Sequence, residues 1–274
     1  MTTTDSYRSL YEAFDSDLMR TVRQQAYGED IGQHSWVTAE ELRADIRRLG
    51  LTSHSSLLDL GCGPGGPLVF VVSATGCVGT GLEISAPAIA SGQARAQRDG
   101  VDARVRFAQA DLDLDLDLDL ALPVGRSPFD AVMSFDVVLH LRDRRALFER
   151  VAEVLRPNGR LLFTDAGVVS GPVSSEEFQR RGAHGFTQFV PTGFNERLIA
   201  AVGLRLIETE ARTASVSRNA RGRLGALETH REALEERIGK AEIDRQRAYL
   251  ETVAELSERG ALSRWMYLAQ RDAP

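Results

Sequence analysis

The chain has 274 residues, of which 43% are hydrophobic and 26% charged, and a formal net charge of −6. Such values describe an ordinary globular protein, either one large domain or a core domain with a small cap. The acidic balance, with arginines spread among acids, disfavours a nucleic-acid substrate, and two cysteines, Cys62 and Cys77, are too few for a disulfide scaffold or a clustered zinc site.

The opening MTTTDSYRSL has neither a basic n-region nor an apolar h-region. No apolar run approaches the ~20 residues of a membrane span, so a cytoplasmic protein without membrane partners is expected. Two helical patterns follow, about Ser6–Ala26 and Thr38–Leu49, the second opened by the capping signature Thr38-x-x-Glu41. The loop YGEDIGQHSW (Tyr27–Trp36) separates them.

From Ser55 to about Ala211 apolar runs alternate with helix-periodic stretches. Predicted strands are Ser55–Leu60, Cys77–Leu82, Arg104–Gln109, Phe129–Ser134, Arg160–Thr164 and Leu204–Glu210. Between them lie the helical segments Pro67–Thr75, Ala86–Asp99, Arg142–Leu155 and Thr192–Val202. This rhythm argues for an α/β fold with a parallel, doubly wound sheet and right-handed crossovers. Arg218–Glu258 carries Leu and Ile at helical spacing and predicts one or two helices, followed by a last strand at Ser263–Gln270. The division expected is a helical lid at 1–50, a core at 51–216, and a cap with the final strand at 217–274.

Asp111–Leu120 (DLDLDLDLDL) alternates strictly, which formally suits a half-buried strand. Five aspartates on one face would repel each other, so a repeat-expanded surface loop is the preferred reading. Period-two spacing does not build the glycine-turned loop of a calcium site, and no metal is expected.

The chemistry concentrates in LLDLGCGPGG (Leu57–Gly66), a strand, a glycine turn and an apolar helix. The glycines allow backbone angles and close approaches that a Cβ would block, so a ligand can lie against the main chain. Gly61, Gly63 and Gly66 also satisfy G-x-G-x-x-G, the dinucleotide fingerprint. Glu83 closes the next strand about 20 residues on, where an acid can accept hydrogen bonds from a ribose diol. On these residues alone, a nicotinamide and an adenosylmethionine cofactor are both admissible, and Glu83 could also be a solvated strand-end acid.

The full array resembles the class I S-adenosylmethionine-dependent methyltransferases, over roughly residues 55–211. The resemblance rests on DLGCGPG with Asp59 two residues before Gly61, on Glu83 in GLEIS, and on Asp111-Leu112 in FAQADL. FDAVMSFDVVLH (Phe129–His140) and ALFERVAEVLRPNGRLLFTD (Ala146–Asp165) continue it. It implies a Rossmann-like, seven-stranded sheet with the last strand antiparallel, and methyl transfer from S-adenosyl-L-methionine to a small organic acceptor.

The resemblance also assigns residues. Gly61, Cys62 and Gly63 meet the amino-acid moiety above Asp59, and Glu83 with Ile84 the ribose. Asp111 and Leu112 hold the adenine; Ser134, Phe135 and Asp136 line the sulfonium region. The Tyr27–Trp36 loop is similar to the lid of small-molecule methyltransferases of the phosphoethanolamine and sarcosine kind, which brings in Tyr27 and Gln33; Trp36 either covers the site or packs on the next helix. The glycine-rich continuation of the phosphoethanolamine enzymes is absent here, which argues against a phosphobase acceptor.

His140 is the candidate base, since histidine titrates near neutrality, although a packing or capping histidine fits the same position. Tyr11, ahead of Tyr7, is a candidate partner for it. His184 with Phe186, Phe189 and Phe194 could wall an acceptor pocket or belong to the core. The expected setting is specialised-metabolite biosynthesis; a catalytically silent binding protein of this fold, an NAD-dependent oxidoreductase and RNA methylation are the competing readings. A homodimer is left open.

Overall fold

The computed structural model describes residues 14–113, 129–183 and 185–273. Two helices come first, α1 (Asp17–Tyr27) and α2 (Ala39–Leu49). The capping box read at Thr38 and Glu41 forms: each side chain accepts the other's backbone N–H. Two backbone donors at the helix start are thereby satisfied, and the apolar face of α2, with Leu42 and Leu49 buried, docks onto the sheet.

The alternating core follows: β1 (Ser56–Leu60), α3 (Gly66–Thr75), β2 (Val78–Glu83), α4 (Ala86–Arg98), β3 (Val105–Gln109), β4 (Phe129–Phe135), α5 (Arg144–Val154) and β5 (Leu155–Val169). After it come α6 (Ser175–Arg181), β6 (Val190–Pro191), α7 (Phe194–Ala201) and β7 (Leu204–Ala211). The chain closes with α8 (Thr213–Thr229), α9 (Arg231–Ile238), α10 (Lys240–Glu258) and β8 (Leu262–Arg271).

The sheet order is β3-β2-β1-β4-β5-β8-β7, with the two-residue β6 beside β5. β8 runs antiparallel to both β5 and β7, while β1 to β5 pair in parallel. The expected seven-stranded path is present, and β6 adds an eighth, short strand. Strand order reverses between β1 and β4, the place where an open α/β sheet leaves a crevice at its carboxyl edge.

Successive residues of a strand face opposite sides. Leu57 accordingly joins the core under α2 and α3, whereas its neighbour Leu58 joins the core under α5 and α7. A third apolar cluster ties Trp36 to Val216 and Ala220 of α8 and to Ile243, Leu250 and Val253 of α10. The cap thus closes onto the lid loop. It holds three helices rather than the one or two predicted, because the chain turns at His230 and again at Gly239, which takes φ +85°.

Candidate active site

A cavity of about 680 Å³ opens at the β1/β4 crevice. Its floor is the glycine turn. Gly61 has φ +69°, and a Cβ there would lie 2.6 Å from Val137 Cγ2, so a side chain is excluded twice over. Gly66 opens α3 under the lid loop, where a Cβ would meet the Gly32 carbonyl oxygen at 2.2 Å. The lid therefore rests directly on the turn, and only glycine lets it do so.

Glu83 at the end of β2 locks this turn. Its Oε2 accepts from the Gly63 N–H at 3.0 Å and its Oε1 from the Ser85 N–H at 2.9 Å. Burial raises the pKa of Glu83, and the Ser85 and Gly63 donors work against that rise. Asp59, 2% exposed, is raised well above the usual carboxylate value by burial and then by the charge of Glu83. The same causes, burial before Asp59 and Glu83, push the Cys62 thiol up.

The residues read from sequence converge on this cavity. Asp59, Gly61, Cys62, Gly63, Glu83, Ile84, Asp111, Leu112, Phe135, Asp136 and His140 all line it. Three others sit behind the wall. Ser134 Oγ donates to the Leu60 carbonyl at 2.9 Å, tying β4 to β1. Gln33 accepts from the Ile31 N–H and donates to the Glu29 carbonyl, so its amide holds the lid loop's own shape. The Tyr27 hydroxyl donates to the Ser35 carbonyl at 3.0 Å, and burial raises its pKa. Tyr7, Tyr11, His184 and most of the Asp-Leu run lie outside the described residues.

Trp36 packs on the C-terminal helices rather than on the helix that follows it in sequence. It lines the cavity, stacks on Tyr249 of α10 with centroids 6.5 Å apart, and donates its backbone N–H to Asp136 Oδ2. Of the three phenylalanines, Phe186 reaches the cavity, Phe189 packs on Phe178, and Phe194 lies against the core under α5.

His140 ends the short 3-10 turn Val138–His140 after β4. Its Nδ1 lies 3.0 Å from the Phe186 carbonyl oxygen. A carbonyl only accepts, so Nδ1 carries the proton of the neutral ring and Nε2 is left as the basic nitrogen. Burial lowers the pKa of His140, against the opposing pull of that carbonyl.

Asp136 is held more tightly than its sequence position suggested. It has φ +59°, a left-handed backbone rare outside glycine. Thr164 Oγ1 and Arg264 Nε donate to its Oδ1, both at 2.8 Å, and Arg264 Nη1 also donates to Glu41 Oε2 at 2.9 Å. Burial opposes charge on Arg264, but Asp136 and Glu41 outweigh it and raise its pKa. One guanidinium from β8 thus joins the β4 exit to the lid helix α2. The walls contributed by the cap, Arg223, Gln246, Tyr249 and Leu250, were not singled out from sequence. They sit on a helix-periodic surface whose pattern marks only an amphipathic helix.

Residues 58–161 match the model of the methyltransferase domain family. That stretch is similar to a methyltransferase domain. The match runs from β1 through the glycine turn and into β5, and so contains the floor of the cavity. Among proteins similar to the chain is 27-O-demethylrifamycin SV methyltransferase of Amycolatopsis mediterranei, 32% identical over 61% of this chain. The chain covers 60% of that relative, less than two thirds of its length. O-methyltransferase resE of Aspergillus sclerotiorum is 27% identical over 74% of this chain and 75% of its own. The fold is shared with phosphoethanolamine N-methyltransferase 2 of Haemonchus contortus, solved in complex with S-adenosyl-L-methionine. That structure has a TM-score of 0.79 at 20% identity and covers 100% of this chain and 60% of that one. No described helix is long and apolar enough to cross a membrane.

Proposed function

We propose that the chain transfers a methyl group from S-adenosyl-L-methionine to a small organic acceptor in the biosynthesis of a specialised metabolite. The observation that carries this reading is a single cavity shared by the Glu83-locked glycine turn and His140. Natural-product O-methyltransferases among the relatives support the acceptor class.

The donor set suits the cofactor. Asp59, Glu83 and Asp111 give the floor an acidic lining, which favours a ligand with a cationic sulfur and an ammonium group over one carrying phosphates. Glu83 is oriented by two backbone donors, and its remaining lone pairs can accept from ribose hydroxyls. Gly61 lets Val137 pack directly on the turn, which a Cβ would prevent.

When bound, S-adenosylmethionine supplies an activated methyl carbon that the acceptor displaces in line from sulfur. The protein's part is to position the acceptor and to take its proton. Trp36 and Tyr249 close the cavity from the lid and cap and exclude water. His140 Nε2 receives the acceptor's proton, while the bond from Nδ1–H to the Phe186 carbonyl fixes the ring and its tautomer. Asp136, clamped by Arg264, holds the backbone at the β4 exit where the two ligands meet.

Calorimetric titration tests the cofactor assignment. S-adenosylhomocysteine is expected to bind saturably, NAD is not, and Glu83→Ala should weaken S-adenosylhomocysteine about tenfold or more through the lost ribose acceptor. Binding of NAD in its place would overturn the proposal.

A further inference from the structure

Two ends of the cavity differ in charge. The glycine-turn end presents Asp59, Glu83, Asp111 and Asp113, with Arg142 beside Asp113 and stacked over the Phe186 ring. The opposite end, built from α6 and the cap, presents Arg181 and Arg223 together with one acid, Glu242.

Arg181 is only 5% exposed, and its hydrogen bonds go to neutral oxygens: Nη1 donates to the Tyr249 hydroxyl at 3.0 Å and Nη2 to the Ala166 carbonyl at 3.5 Å. No carboxylate among the described residues pairs with it. The nearby acids are already taken, Asp165 by Arg144 at 2.6 Å and Asp136 by Arg264 at 2.8 Å. Glu242, the acid on the cap wall, is engaged by Arg245 and by Gln246. Arg223 lies over the Trp36 ring, 5.2 Å from its centroid, also without a carboxylate partner among the described residues. A buried guanidinium without a counter-ion is costly, and five N–H donors are far from exhausted by two neutral acceptors.

Between the two ends the wall is apolar, with Leu139, Phe186 and Leu250. Resting on the methyl-transfer reading above, we infer that the acceptor is an anion: an apolar, ring-sized molecule whose carboxylate is bound by Arg181, with Arg223 adding positive charge. A carboxylate is planar and matches the guanidinium fork, and the single buried fork gives fewer donors than a phosphate dianion takes. The arrangement also separates the charges sensibly, with the cationic cofactor on the acidic floor and the anionic acceptor on the basic wall.

The test uses three probes of one shape, benzoate, benzamide and benzylammonium, titrated at constant ionic strength into the full chain saturated with S-adenosylhomocysteine. Benzoate should bind about tenfold or more tighter than benzamide, and benzylammonium weakest. Arg181→Gln should abolish the preference with S-adenosylhomocysteine affinity unchanged, and Arg181→Lys should keep part of it. Equal affinities, no benzoate binding, or a preference that survives Arg181→Gln would overturn the inference. If Arg181→Gln does not fold, the wild-type probe order and the lysine variant still decide. Failure of S-adenosylhomocysteine itself to bind would instead count against the cofactor reading.

Discussion

Arg264 Nε on the last strand donates to Asp136 Oδ1 at 2.8 Å, across 128 positions of sequence. The same guanidinium reaches Glu41 of the lid helix and Thr164 of β5, so one fully buried cation joins lid, core and final strand at the rim of the cavity. A second pair works alongside it: Arg212 Nη1 donates to the fully buried Asp45 of α2 at 2.8 Å. The lid helix is therefore fixed by charge as well as by its apolar face.

Removing Arg264 leaves Asp136 buried without its cation and Glu41 with only Arg212, 4.0 Å away. Arg264→Met should lower stability by about 3–5 kcal/mol, the range for breaking a buried pair from one side. Urea denaturation reads this as a lower midpoint, and Arg264→Lys should recover only part of it because one ammonium cannot serve both carboxylates in their present geometry.

Gly61→Ala and Gly66→Ala separate the floor from the lid. At Gly61 the added Cβ meets Val137 and a positive φ, so cofactor affinity should fall about tenfold or more, measured by calorimetry. At Gly66 it meets the carbonyl of Gly32, backbone that cannot step aside alone. Limited proteolysis should then cut within Tyr27–Trp36 faster than in the wild type, with the core digested no faster.

The His140 pKa is lowered from its ordinary value of 6.5 by burial. Between the lowered value and 6.5 the unfolded chain binds more protons than the folded one. Stability from this group is therefore present above 6.5 and declines as pH falls through that window. The turnover number should show an acidic limb that inflects below 6.5, and His140→Gln should remove the limb and lower turnover about 10²–10⁴-fold. A limb that persists in His140→Gln would assign it to another group.

Much of this arrangement is legible in sequence because it is local. The turn at Gly61–Gly66, the Thr38–Glu41 capping box and the alternation of strands with helices are each set within a few residues. What escaped is long-range. Nothing near Arg264 or Arg181 in the sequence marks them off from the other arginines, and their roles exist only where distant elements meet. Gln33 shows the reverse case: its place in the lid loop pointed to a ligand, yet its amide is spent on Ile31 and Glu29. The cap divided differently from expectation because helical periodicity continues through His230 and Gly239, while the backbone does not.

Asp59 offers a test in the absence of any acceptor. Its pKa is raised by burial and by Glu83, so its contribution to stability is present at low pH and is lost as pH rises through the folded value. Asp59→Asn should therefore stabilise the ligand-free protein near neutral pH, on the order of 1 kcal/mol, and lose that advantage in acid. Thermal melts at two pH values check it, and the same variant should bind S-adenosylmethionine more weakly than the wild type.

The most direct test of the central claim is transfer from methyl-labelled S-adenosylmethionine, run on a pool of small carboxylic-acid and phenolic acceptors with mass-spectrometric detection. Wild-type protein should place the label in a small-molecule product with matching release of S-adenosylhomocysteine. His140→Ala should bind S-adenosylhomocysteine as the wild type does and transfer label about 10²–10⁴-fold more slowly. Absence of saturable S-adenosylmethionine binding by the wild type, or undiminished transfer by His140→Ala, would contradict it.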